Sequence, residues 1–344
     1  MKACFFERHG GVDVLQYGDT ADPVPAENEV LVRVKAAACN YNDIWAREGL
    51  DGLKIHLPHI SGSDAAGVVE SAAPGGDFRP GDEVIIYPFF SCQTCIACAR
   101  GEGYFCPKNQ IWGFTTGPMK GAFGELCAVP VHSLIRKLPG LSWVDAATLP
   151  VLGLSVWRML VKRASVRRGD VVLIWGAGSG IGSFAVQVVK HYGGKAIAVT
   201  RGAERLQYAH DLGADHVIDR DVHDVEKEVA RITERRGVDL VFEHTGKATW
   251  PISVRTLRHG GALVTCGATS GYLAETDLRY LWNRQLTFYG SHAGSKADLM
   301  EVVHRVAEGC LMPPRSTVIP LESLADAQRM FERADFAGKL VIVP

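Results

Sequence analysis

The sequence lacks an excess of charge of either sign. Lys and Arg number 37 and Asp and Glu 38, a net charge of −1 over 344 residues. Nucleic-acid binders carry a basic surplus to meet phosphate, so that class is excluded. The one dense basic run, Lys162-Arg163 with Arg167-Arg168, reads as a solvated surface turn. Also missing is an uninterrupted apolar run of the ~18–20 residues that a membrane span needs. The first eight residues bring Glu7 early and no long apolar stretch, which is not the pattern of a secretory leader. The expectation is a cytoplasmic protein with no membrane partner. No repeat, low-complexity tract or long linker interrupts the chain. In such a setting nine cysteines point to metal or reactive thiols rather than disulfides.

What is present is ample core material, with 47% hydrophobic residues and a length that suits two domains. The first part reads as β-rich and without long helices. Short runs at 29–36, 66–70 and 82–87 are punctuated by Pro23, Pro25, Pro74-Gly75-Gly76 and Pro80-Gly81. From Asp170 onward strands and helices alternate. Val171 to Trp175 is a continuous apolar run, as a strand buried on both faces should be. In the next segment Ile181, Phe184, Ala185, Val188, Val189 and Tyr192 fall on one helical face. Further strands are predicted at 196–200, 216–218, 238–243 and 261–266, which gives a doubly wound parallel sheet. The tail predicts helices at 296–308 and 321–333 and a strand at 339–343, so the α/β domain that begins near Asp170 is inserted between two parts of the first.

Two motifs carry chemistry. Cys92, Cys95, Cys98 and Cys106 have the spacing C-x2-C-x2-C-x7-C. Four thiolates on one short lobe can close a tetrahedral shell around a structural zinc, one per chain, with no open position for water. An iron–sulfur cluster is the rival, although the bacterial ferredoxin run places three residues rather than seven before its last cysteine. The second motif, Trp175-Gly176-Ala177-Gly178-Ser179-Gly180-Ile181-Gly182, follows a strand and opens a helix. Gly178, Ser179, Gly180, Ile181 and Gly182 are the expected pyrophosphate cradle, with Gly267 added after a later strand. Thr200 and Arg201 stand where an acidic residue would hold a ribose 2′-hydroxyl. Without a carboxylate there, and with Arg201, Arg205 and Arg220 at hand, the cofactor expected is NADPH rather than NADH.

Together these features resemble the medium-chain dehydrogenase/reductase superfamily over essentially the whole chain. Gly62-Ser63-Asp64-Ala65-Ala66-Gly67 and Pro80-Gly81-Asp82-Glu83-Val84 match its barrel domain, and residues 92–106 its structural zinc lobe. The segments around Asn40-Tyr41-Asn42-Asp43, Ile111-Trp112-Gly113-Phe114 and Gly290-Ser291-His292 are similar to its quinone oxidoreductase and crotonyl-CoA reductase branch. The resemblance implies an α/β chain. A GroES-like β-barrel catalytic domain would cover 1–153 and 293–344, with the zinc lobe at about 88–110. A Rossmann domain would cover 154–292. Where zinc alcohol dehydrogenases place their catalytic ligands, this chain has Asn40, Ser63 and an apolar residue near Val151-Leu152, a poor donor set for zinc. Where carboxylating relatives carry Glu, Thr115 stands. The implied activity is therefore NADPH-dependent reduction of the C=C bond of an α,β-unsaturated carbonyl compound. Asn40 would orient the substrate or a water, Tyr41 donate a hydrogen bond, Asp43 orient either, and His292 face the same region. Asn40, Asn42 and Asp43 equally suit a helix cap. A zinc-containing alcohol dehydrogenase and an NADPH-binding module with little catalysis stay open as alternatives. The family likeness further implies a small-molecule substrate and a homodimer or homotetramer.

Overall fold

The computed structural model describes residues 1–72 and 76–344 of the chain. Pro74 and Gly75 of the predicted turn therefore lie outside the described residues. The chain divides into two compact units. One comprises Met1–Leu154, Gly294–Glu308 and Arg315–Pro344, the other Ser155–Ala293 with Gly309–Pro314. Residues 309–314 thus belong with the nucleotide unit rather than with the barrel, against the sequence reading. The reason is local. The Gln187 side chain accepts from Met312 N–H at 2.8 Å and donates to the Met312 carbonyl at 3.1 Å, tying that loop to the helix Gly180–His191.

The first unit is built on a seven-stranded sheet whose ladder is antiparallel apart from one parallel pair, Ser316–Pro320 with Lys339–Val343. Glu29–Ala38 is its hub and pairs with Asp64–Ser71, Leu126–Pro130 and Lys339–Val343. Alternate residues Val30, Val32 and Val34 point into the core with Ala65, Val69, Val84, Ile86 and Leu340. The helix Tyr41–Glu48 follows the hub strand, and a small ladder of Phe89–Phe90 with Gln110–Ile111 closes the neck of the cysteine lobe.

One long helix is a correction to the sequence reading. Trp143–Val156 continues as a π-helical stretch, Trp157–Arg163. These 21 residues are long and apolar enough to cross a membrane by length and composition, yet 67% of the most apolar window is buried inside the protein. The helix shows no amphipathic period in the sequence because it is apolar on nearly every side.

The second unit is a six-stranded, wholly parallel sheet. In space its strands run His216–Asp219, Lys195–Thr200, Val171–Trp175, Val238–Glu243, Leu257–Thr265, Thr287–Gly290. Strand order reverses between Val171–Trp175 and Val238–Glu243, and ligands of such sheets bind beyond the carboxyl ends at that point. Leu173, Ile197, Val199, Val241 and Leu263 are completely buried between the helical layers.

Candidate functional site

The glycine turn sits at that reversal. Ser179 caps the helix Gly180–His191, its hydroxyl accepting from Gly182 N–H at 3.2 Å and donating to the Gly176 carbonyl at 2.8 Å. Gly182 has no room for a side chain, since a Cβ there would stand 2.2 Å from the Gly176 carbonyl oxygen. With Ser179 spent on the turn, the N–H groups of Gly180 and Ile181 are the first-turn donors without an intrahelical acceptor, the arrangement that holds a pyrophosphate.

Three arginines gather beyond the neighbouring strand ends. Arg201 follows Thr200 directly, and Arg220 N–H donates to the Thr200 carbonyl at 3.0 Å. The stem of Arg205 runs against Gly178, where an added Cβ would meet its Cβ at 2.5 Å, and its guanidinium reaches Gly202. Arg205 therefore spans the gap between the glycine turn and the end of Lys195–Thr200, where an adenine ribose would lie. Gly267 packs against the backbone of His244, its would-be Cβ 3.3 Å from that carbonyl.

Two residues here were not foreseen. His244 Nε2 donates to the Trp175 carbonyl at 2.9 Å, and burial lowers its pKa so that the ring stays neutral under the turn. Glu243 is fully buried and accepts from Thr245 N–H, Gly246 N–H, Thr249 Oγ1 and Ser253 Oγ at 2.6–3.0 Å. Ser253 in turn accepts from Trp175 Nε1 at 2.8 Å. This network locks the ends of the two strands that flank the reversal. A lone Glu-His pair after an apolar strand carries no signal of that role in sequence.

In the first unit Asn40 and Val151 both bond to the Asp64 carboxylate, and Asn40 and Asp64 hold an ammonium group. Lys339 Nζ donates to Asn40 Oδ1 at 2.6 Å and lies 3.1 Å from Asp64 Oδ2, with the lysine 5% exposed. Asn40 Nδ2 donates to Asp64 Oδ2 at 2.8 Å, and Val151 N–H to Asp64 Oδ1 at 2.7 Å. Asp43 accepts from Asn40 N–H at 2.7 Å and from Gly62 N–H at 3.0 Å. Burial raises the Asp43 carboxyl to about 7 despite the Asn40 N–H and Lys339, and it raises Asp64 as well. Both ends of the Asn40 amide are engaged within the protein.

The neighbouring pair is less occupied. Asn42 Nδ2 donates to Ser63 Oγ at 2.7 Å, which leaves the hydroxyl proton of Ser63 to point elsewhere, and Asn42 Oδ1 is buried without a partner among the described residues. Tyr41 is half-buried, edge-on to Trp45 at 5.1 Å and to Phe331 at 6.0 Å, and burial raises its pKa. His292 is exposed in the other unit, just beyond the strand Thr287–Gly290.

The cysteine lobe fits a metal. All four sulfurs lie within 4.8 Å of one another. Cys95 and Cys98 are 3.5 Å apart and Cys92 and Cys98 3.9 Å, against the separation of about 3.8 Å that a tetrahedron of Zn–S bonds near 2.3 Å requires. An iron–sulfur cluster, with several metal atoms between its ligands, needs a wider spread. Backbone N–H groups of Cys92 and Lys108 donate to the Cys106 sulfur. The Thr94 hydroxyl and nearby N–H groups hold Cys92 well below the usual thiol range, at about 5, and so favour a thiolate ligand. By contrast the Asn40, Ser63 and Val151 positions do not fit a catalytic zinc. They offer an amide, a hydroxyl and a backbone group, and the one neighbouring carboxylate, Asp64, is taken by a lysine ammonium that would repel the ion.

A wholly parallel nucleotide sheet joined in one chain to a sheet of the barrel type defines a class of dehydrogenases and reductases. The family model described as alcohol dehydrogenase GroES-like domain matches residues 26–140, and that of zinc-binding dehydrogenase residues 180–308. A crotonyl-CoA reductase of Streptomyces avermitilis is 33% identical over 360 residues, covering 93% of this chain and 80% of that protein. The crystal structure of an NAD-dependent alcohol dehydrogenase matches with a TM-score of 0.94 at 38% identity, covering 100% of both chains. The structure of the crotonyl-CoA carboxylase/reductase AntE in complex with NADP matches at 0.90 and 28%, covering 100% of this chain and 94% of that one. The chain belongs to the medium-chain dehydrogenase/reductase superfamily, and its relatives are oxidoreductases that include both enoyl reductases and alcohol dehydrogenases.

Proposed function

We propose that the protein reduces the C=C bond of an α,β-unsaturated carbonyl compound, an enoyl thioester or an enone, at the expense of NADPH. The observation that carries this reading is the buried Lys339 ammonium, which occupies the Asn40 amide oxygen and the Asp64 carboxylate, the one anionic donor among these groups, and would repel a zinc ion there. The bound cofactor supplies a hydride. The chain's own part is to hold the adenosine phosphates on Gly180, Ile181 and the three arginines. It must also steady the negative charge that grows on the substrate oxygen. Ser63 Oγ–H, aligned by Asn42, is the group with a proton to offer. Asn40, Asp43 and Asp64 position that loop, and Tyr41 and His292 are the candidates for proton delivery. The four cysteines hold one structural zinc.

Two measurements test this together: metal content, and NADPH oxidation against enones, enoyl thioesters and quinones. One zinc per chain with turnover of an unsaturated carbonyl is the expected result. The second reading, an alcohol dehydrogenase, draws on the 38% identity to an NAD-dependent enzyme of that class. Two zincs per chain with NAD-linked alcohol oxidation would replace the first reading with it.

A further inference from the structure

At the end of the nucleotide sheet opposite the glycine turn, the amino ends of Val238–Glu243 and Leu257–Thr265 open onto a cavity of about 680 Å³. The strands separate it from the dinucleotide turn by roughly 20 Å, at about 3.3 Å per residue. Its volume is that of a small-molecule site, but its lining is not the usual apolar one. Seven cationic side chains line it, six of them arginines, against a single carboxylate, Glu226.

The acids nearby do not balance this charge. Asp239 is shared by Arg236 and Arg258, Glu226 meets Arg255 at 2.7 Å, Glu228 meets Arg231 at 2.7 Å and Asp224 meets Lys227 at 3.6 Å, four acids against seven cations. Arg284 has no carboxylate partner among the described residues. Its Nη1 donates to the Arg255 and Leu257 carbonyls at 2.8 and 3.1 Å, and its plane lies 4.6 Å from the Tyr280 ring centre. Arg235 has no acidic partner among the described residues. It sits, after Glu234, in the second of two consecutive left-handed positions, with φ 64° and 49° respectively. Such a pair is disfavoured for residues that carry a side chain and persists only where the surrounding structure holds it.

Geometry makes the surplus useful. Arg255 is anchored through Nε alone, Arg231 through Nε and Nη2, and Arg236 through both Nη atoms. Each guanidinium is thus fixed by one edge and keeps N–H donors on another. Fixed forks with open donors are what recognises phosphate oxygens.

We propose that this cavity binds a compact polyanion bearing two or more phosphates, either an inorganic oligophosphate or the phosphate chain of a nucleotide, at a site separate from the dinucleotide turn. The test is calorimetric titration of tripolyphosphate and of ATP into the full chain saturated with NADP⁺, which fills the dinucleotide site. Saturable binding that weakens steeply with salt is expected. Arg235→Glu and Arg231→Glu should each weaken it at least tenfold, while Arg329→Glu, an equal charge change in the other unit, should not. Equal affinity for tripolyphosphate and ATP assigns the inorganic source, and tighter ATP assigns the nucleotide. No saturable heat, binding abolished by NADP⁺, or equal affinity in both cavity variants would overturn the proposal.

Discussion

Individual side chains decide the chemistry here, and the most consequential is Lys339. It is buried against Asp64 and Asn40, a residue 299 positions away. Removing one member of a buried pair strands the other charge, which costs about 3–5 kcal/mol. Lys339→Met should therefore lose about that much stability in urea unfolding. The double variant Lys339→Met with Asp64→Asn should recover most of the loss. Additive losses would show that the two groups do not interact. Asp43 gives a pH signature. Its folded carboxyl lies near 7, above the ordinary aspartate value of about 3.9, so the folded state holds the proton more tightly. The resulting stabilisation is complete below the ordinary value and is lost as pH rises through 7, and Asp64 acts in the same direction. Carboxyl ¹³C NMR of aspartate-labelled protein should show a resonance with its midpoint near 7. If every aspartate titrates below 6, the burial argument fails. Cofactor choice is also a matter of single residues. Arg205→Ala should weaken NADPH relative to NADH by about tenfold to a hundredfold, the worth of a charge-assisted hydrogen bond. Arg201→Asp should shift the ratio of specificity constants the same way.

Elements differ in how plainly the sequence declares them. The strands Val171–Trp175, Val238–Glu243 and Lys339–Val343 are apolar runs between Gly, Asp or Pro, and each is seen where its pattern places it. The strand predicted at 261–266 begins earlier, at Leu257, because Arg258 and His259 extend it in an exposed stretch without alternation. Of the helix predicted at 321–333, the first three residues form a 3₁₀ turn, Leu321–Ser323. What stays illegible is long-range. No local pattern announces that Lys339 closes on Asn40, or that arginines scattered from 231 to 284 line one cavity. The cysteine lobe is the opposite case, legible from spacing alone. Neither of its short helices, Ile96–Ala99 and Gly103–Phe105, buries a residue, and Ile96 and Phe105 are largely exposed. With neither short helix burying a residue, a zinc held by the four sulfurs would be the lobe's main tie. Chelation, or Cys98→Ser, should abolish amide-exchange protection in residues 92–108 and leave the strands of the nucleotide sheet protected. Unchanged protection in the metal-free lobe would refute this.

At the scale of the whole molecule, the nucleotide sheet ends on an open edge. Thr287–Gly290 pairs on one side with Leu257–Thr265 and, among the described residues, has no strand on the other. An exposed edge of this kind is a template for pairing with another chain unless charge, proline or a bulge guards it. Here only one end is guarded: Arg163 Nε donates to the Gly290 carbonyl at 3.1 Å and its guanidinium lies 5.7 Å from the Tyr289 ring centre, while the strand itself carries no charge or proline. The strand reads Thr-Phe-Tyr-Gly, and the segment leading to it exposes Tyr272, Leu273, Leu278 and Trp282. Single exposed apolar residues need no explanation, but four within eleven positions beside an unpaired strand do. A second copy pairing edge to edge about a two-fold axis would extend the parallel sheet across the axis and cover these side chains, so an isologous homodimer is the assembly this surface supports. Trp282 is 66% exposed and Leu278 58%, so neither contributes much to the fold of a single chain. Leu278→Asp with Trp282→Asp should therefore leave the melting temperature at high dilution nearly unchanged while shifting the mass measured by light scattering from dimer toward monomer. If the doubly substituted chain keeps the mass of the unsubstituted protein at every concentration, the subunits meet elsewhere, and this sheet edge is protected by some means other than a partner.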